Sequence, residues 1–280
     1  MFHWVLTFSC QDGPGIVHAV TGACGTSGGN ITELAQFTST DTGHFFMRVE
    51  VDSELGEKAF AAALSPVADR FGAEWSVHEA GRRLRTLVLA SKAGHCLNDL
   101  LYRQRAGRLS VDIPRVLANH PDLGPLAEFY GIAFESHVVL PDTKQDFEAR
   151  VRQVVEDDQI ELVVLARYMQ ILSPELCEFL TGRAINIHHS FLPGFKGANP
   201  YRQAHARGVK LIGATAHFVT ADLDEGPIIE QNVVRVDHSR SPKQLVEIGQ
   251  DQESLTLSDA VQLFAEHRVF LDGARTVIFN

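Results

Sequence analysis

The sequence lacks any uninterrupted apolar run approaching about 18 residues, so no membrane-spanning helix is expected. Cysteine is scarce. The four in 280 residues are Cys10, Cys24, Cys96 and Cys177, and no two stand in C-x-x-C spacing. That excludes a zinc ribbon or a thioredoxin-like motif, and scattered thiols suit a reducing, cytoplasmic setting. Positive charge is also short, with 25 Lys and Arg against 35 Asp and Glu and a formal net charge of −10. Unspecific grip on nucleic acid needs a basic face, so no such partner is expected. The first ten residues carry no basic region ahead of an apolar stretch, which argues against a signal peptide and a membrane partner. What is present is ordinary for a globular chain: 45% hydrophobic and 21% charged residues. That composition excludes a disordered, collagen-like or coiled-coil chain.

The pattern changes near residue 82. Before it, strands are expected over Trp4–Cys10, Asn30–Thr40, His44–Val51 and Glu74–Glu79. Helices are expected from Ile16 to about Cys24 and from Glu54 to Phe71. In His44–Val51, Phe46 and Arg48 alternate with Phe45, Met47 and Val49, the period of a half-buried strand. The order β-α-β-β-α-β predicts a ferredoxin-like domain over residues 1–82. From 83 to 280, strands alternate with helices, which predicts a mostly parallel α/β sheet. A strand is expected from Ala133 to Leu140, and Leu162-Val-Val-Leu165 reads as one covered on both faces. Two strand-like runs flank Asp222–Pro227, predicting an antiparallel end to the sheet, and a helix is expected from Ser241 to about Leu271.

Three stretches carry candidate chemistry. Asp12-Gly-Pro-Gly15-Ile16 is a glycine-bearing turn from strand to helix, whose free backbone N–H groups suit a carboxylate or phosphate. An Asp cap on a tight turn, with no ligand, explains it equally well. Asn186-Ile-His188 follows an apolar run, where ligands gather in open α/β sheets. In extended backbone its amide and imidazole project to one face and can bind an oxygen on which charge builds. Alone, the stretch also reads as a polar loop. His217 and Asp224, in His217-Phe-Val-Thr-Ala-Asp-Leu-Asp224-Glu-Gly-Pro227, place a second imidazole and a carboxylate at the end of another strand. His188, His189, His217 and Asp224 include metal-ligand types, but not in a recognised zinc spacing.

With Gly28-Gly29-Asn30-Ile31, the first stretch resembles the ACT domain, which often binds amino acids between paired copies. That resemblance implies an amino-acid effector near Asp12, Gly15, Ile16 and Asn30, and a homo-oligomer, dimer or tetramer. The N-I-H core and the L-D-x-G-P turn, in order, resemble the formyl transferase family that uses 10-formyltetrahydrofolate, over about residues 85–280. That implies a Rossmann-like fold, with Asn186, His188 and Asp224 as catalytic residues and His217 close by. His189 in place of proline, Lys92–Leu101, Leu165–Pro174 and Phe195-Lys196-Gly197 resemble the deformylase branch. The fused N-terminal domain belongs with that branch too. Gly194 and Asn199 depart from the pattern, where Ala and Lys are expected. The resemblance implies a hydrolase acting on a small folate substrate with no cofactor and no metal. It implies substrate contacts from Arg167, Met169, Gln170, His217, Lys92, His95 and Lys196. A transferase to an amine, an inactive amino-acid sensor and a metal hydrolase are the alternatives.

Overall fold

The computed structural model describes residues 1–194 and 200–280. These divide into two units, residues 1–82 with 266–280, and residues 83–265.

The first unit contains β1 (Phe2–Gln11), α1 (Ile16–Thr26), β2 (Asn30–Thr38), β3 (His44–Ser53), α2 (Glu57–Phe71) and β4 (Glu74–Glu79). Its sheet order is β2-β3-β1-β4, with every pair antiparallel. Ile16, Val20 and Cys24 of α1 and Phe60, Leu64 and Ala68 of α2 recur every four residues. That spacing makes one apolar stripe per helix, and both stripes pack on Leu6, Met47 and Val49 of the sheet. α2 starts at Glu57, not Glu54, because Gly56 is still extended.

The second unit runs β5 (Leu84–Ala90), α3 (His95–Arg105), β6 (Val111–Ala118), α4 (Gly124–Tyr130), β7 (Ala133–Ser136), α5 (Lys144–Asp157), β8 (Leu162–Ala166), α6 (Pro174–Phe179), β9 (Ala184–His188), α7 (Pro200–Arg207), β10 (Leu211–Phe218), β11 (Ile228–Arg235) and α8 (Pro242–Ala265). The sheet order is β11-β10-β9-β8-β5-β6-β7. From β9 to β7 the pairs are parallel, while β10 is antiparallel to both neighbours. All five residues of β8 are buried, as its unbroken apolar run predicts. The chain leaves β5 for β6 on one side and later returns to β8 on the other. Ligands collect at the carboxyl ends of strands beside such a reversal. β7 ends at Ser136, short of Leu140. It is an edge strand paired only with β6, and the Thr143 hydroxyl holds Leu140 N–H (2.9 Å) and Val138 C=O (2.9 Å) in a turn.

The last residues depart furthest from the pattern. α8 stops at Ala265, and a hairpin of β12 (Val269–Asp272) and β13 (Arg275–Ile278) follows where helix was expected to Leu271. Gly273 turns it at φ 63°. The hairpin belongs to the first unit, not to a domain running from 83 to 280. It also alters β3. Phe270 meets Phe46 edge-on at 5.9 Å, and Arg48 Nε donates to Glu266 C=O at 3.1 Å. Phe46 and Arg48 are therefore buried on the face expected to be open. The Arg48 guanidinium is paired there with Glu33 (3.1 Å) and Glu50 (2.6 Å).

Candidate active site

Register places the chemistry. β9 and β10 are antiparallel with Asn186 opposite His217 and His188 opposite Thr215. Asn186 and His188 are two apart, so their side chains share a face. Asn186 Nδ2 lies 3.2 Å from His217 Nε2, and His217 Nδ1 lies 2.8 Å from Phe218 C=O. A carbonyl only accepts, so Nδ1 carries a proton, while Nε2 accepts from the Asn186 amide when bare and donates to Asp224 when protonated. With Nε2 bare, one amide hydrogen of Asn186 is fixed, and the second is available.

Asp224 enters from the turn after β10, at φ 57°, a left-handed conformation that Asp tolerates better than most residues. Gly226 makes that turn possible, since a Cβ there would overlap the Phe218 carbonyl. Asp224 Oδ2 is 3.1 Å from His188 Nδ1, and Oδ1 is 3.6 Å from His217 Nε2. Burial raises the Asp224 carboxyl, but the two imidazoles outweigh it and hold it well below the usual carboxylate range. His188 Nε2 is buried with no hydrogen-bond partner among the described residues.

The loop after His188 is tied down from β10 and β11. Thr215 donates to Ser190 C=O (2.9 Å) and accepts from Leu192 N–H (3.0 Å), and Gln231 binds both Thr215 and Leu192 C=O. His189 stacks on His188, ring centres 5.0 Å apart and 17° from parallel. Its Nδ1 accepts from Arg167 Nη1. Arg167 stands just past β8 at φ 60°. Burial, then Arg167 and His188, push the His189 imidazole down to about 4.

These groups line one cleft of about 730 Å³, walled by Met169, Ile171, Leu172, Val219 and Leu223. Asn186, His188, Asp224, His217, Arg167, Met169 and Gln170 all line it. Lys92 and His95 do not: Lys92 is exposed, and His95 Nε2 turns 2.7 Å from Glu253 Oε2. Lys196, like Phe195, Gly197 and Asn199, lies outside the described residues. Among residues named for an effector, Asp12 and Asn30 are exposed, Gly15 enters α1 at φ 89° without a side-chain cap, and Ile16 is core. Asp12 therefore does not cap α1.

Tyr201, Gln250 and Glu253 also line the cleft and were not singled out from the sequence. Glu253 was readable: Leu245, Gly249, Glu253 and Leu257 recur every four residues on the buried face of α8, with one carboxylate among them. Among the described residues, His95, Cys96 and Glu253 are the group whose ligand atoms lie close enough for a metal ion. Burial keeps the Cys96 thiol protonated, and the Arg167 guanidinium 3.3 Å from Glu253 repels a cation.

Family models match both parts of the chain, ACT domain over residues 4–69 and formyl transferase over 84–261. A protein of Corynebacterium sp. strain P-1 named formyltetrahydrofolate deformylase is 48% identical, across 99% of this chain and 98% of that one. The chain belongs to the formyltetrahydrofolate deformylase family. The crystal structure of the family member from Burkholderia mallei superposes with a TM-score of 0.96 at 50% identity, covering 100% of both chains. Glycinamide ribonucleotide transformylase 1 from Symbiobacterium toebii gives a TM-score of 0.67 at 31% identity, covering 72% of this chain and 97% of that one. The deformylase likeness thus spans both units, while the transformylase likeness spans only part of the chain. No helix among the described residues is long and apolar enough to cross a membrane.

Proposed function

We propose that the chain hydrolyses 10-formyltetrahydrofolate to tetrahydrofolate and formate, with Asn186, His188 and Asp224 as its catalytic residues. The observation that carries the assignment is their convergence in one cleft, with His188 Nδ1 3.1 Å from Asp224 and Nε2 of His188 without a partner among the described residues. The apolar walls take the pterin and aryl rings of the substrate. The formyl oxygen lies between the free amide hydrogen of Asn186 and Nε2 of His188. Asp224 holds a water against the formyl carbon.

Water oxygen bonds to the formyl carbon, and the carbonyl electron pair moves onto oxygen. Asn186 and His188, the latter paired to Asp224, stabilise that oxyanion. Losing one such donor costs about 10²–10³ in rate. Asp224 takes one proton from the water and passes it to N10. The C–N10 bond then breaks, its electron pair stays on N10, and formic acid leaves and ionises. Transfer of this kind contributes about 10²–10⁴.

The reaction needs neither cofactor nor metal, because every proton and charge is met by these side chains. Four free, buried cysteines support a cytoplasmic enzyme. The ACT match supports an amino-acid effector and a homo-oligomer. Purified protein given 10-formyltetrahydrofolate, a chelator and no amine should release tetrahydrofolate and formate one to one. Release only with an added amine would make it a transferase, and no release without added metal ion would make it a metal hydrolase.

A further inference from the structure

Beneath the cleft, α8 buries a carboxylate that the reaction above does not use. Glu253 is 1% exposed. Its Oε1 accepts the Tyr201 hydroxyl at 2.5 Å, and its Oε2 lies 2.7 Å from His95 Nε2 and 3.3 Å from Arg167 Nε. Burial raises this carboxyl, but His95, Arg167 and Tyr201 outweigh it and keep it below the ordinary range. An anion buried this deeply is costly unless fully partnered, and removing its charge strands the cation it serves.

That cation is Arg167. Its Nε faces Glu253, and its Nη1 donates to His189 Nδ1. A guanidinium only donates, so Nδ1 of His189 must accept, and the ring's single proton sits on Nε2. Nε2 lies across the ring from Nδ1, away from Arg167. No described residue hydrogen-bonds to it, and the ring lines the cleft beside His188.

We propose that His189 is a further catalytic residue, donating from Nε2–H to the oxygen of the attacking water, and that Glu253 is its positioning residue, acting through Arg167. This rests on the hydrolytic reading of the site. The water then accepts from His189, donates to Asp224, and keeps one lone pair for the formyl carbon. Glu253 holds Arg167, Arg167 selects the tautomer, and the tautomer makes His189 a donor and not an acceptor.

The test joins nitrogen NMR of histidine-labelled protein to steady-state kinetics. At pH 7 the wild-type His189 ring should show one tautomer, protonated at Nε2. Glu253→Gln keeps the side-chain shape and the Tyr201 contact but frees Arg167, and should give mixed His189 tautomers. Its kcat should fall about 100-fold with KM changed less than about twofold, as for a misplaced reacting group. Should that variant not fold, Arg167→Gln reads the same link from its other end and should also mix the tautomers. His189→Asn, at a partly exposed position, should lose about 10²-fold in kcat. A wild-type His189 protonated at Nδ1, tautomers unchanged in Glu253→Gln or Arg167→Gln, or wild-type turnover in His189→Asn would overturn the proposal. The tautomer is read without substrate, so it stands even if 10-formyltetrahydrofolate is not turned over.

Discussion

Nδ1 of His188 stands 3.1 Å from Oδ2 of Asp224, joining the last residue of β9 to the turn beyond β10. Two histidines hold that carboxyl ionised well into acid. Asp224→Asn removes the charge and little else, because Asn accepts the same left-handed backbone. The variant should fold, bind the folate and lose about 10²–10⁴ in kcat. Circular dichroism, equilibrium binding and formate release together check this.

Tyr201 occupies space that exists because residue 249 has no side chain: a Cβ on Gly249 would overlap the Tyr201 ring and hydroxyl. Alanine favours a helix over glycine by about 1 kcal/mol, but overpacking costs about 1–3 kcal/mol. The ring cannot slide away cheaply, since its hydroxyl is bonded to Glu253. Gly249→Ala should therefore destabilise the protein. In a Tyr201→Ala background the same change should stabilise it by up to about 1 kcal/mol, and a double-mutant cycle by urea unfolding reads the reversal.

The fold was largely legible, and where it was not the reason is physical. Alternation and apolar runs marked β1 to β6 and β8. Pattern alone could not show that the Val269–Ile278 segment folds back onto β3, because its partner is more than 200 residues away in sequence. Arg48 sits at a polar position of a strand that reads half-open, and only the returning hairpin buries it. Within the site, Asn186, His188, His217 and Asp224 were readable from two motifs. Lys92 and His95 are not among the residues lining the cleft, because position near a strand end does not say which way a side chain turns. His95 turns to Glu253.

Arg48→Met tests that buried pairing. Glu50 would lose its 2.6 Å partner but keep His3 at 2.9 Å and Arg268 at 3.9 Å, and Glu33 would keep Arg268 at 2.9 Å. Breaking a buried pair costs about 3–5 kcal/mol, and the remaining Arg268 contact places this case near the low end. Thermal unfolding should show the loss, and an unchanged melting temperature would mean the hairpin does not depend on this contact.

His189 predicts a pH dependence of stability. Its imidazole lies at about 4 in the folded protein against 6.5 unperturbed. Above pH 6.5 the ring is neutral folded or unfolded, and no linkage arises. Between pH 6.5 and about 4 the unfolded chain binds a proton that the folded chain refuses, so stability falls as pH falls, by about 3 kcal/mol in all. His189→Asn should lack that decline. Urea unfolding of both proteins across this range gives the difference curve, and parallel curves would contradict the assignment.

Running the reaction in oxygen-18 water with no amine present tests the central claim most directly. The account predicts formate carrying one heavy oxygen, in step with tetrahydrofolate, and lost together with it in Asn186→Ala and Asp224→Asn. Formate with no heavy oxygen, or formyl groups recovered only on an added amine, would show that water is not the nucleophile.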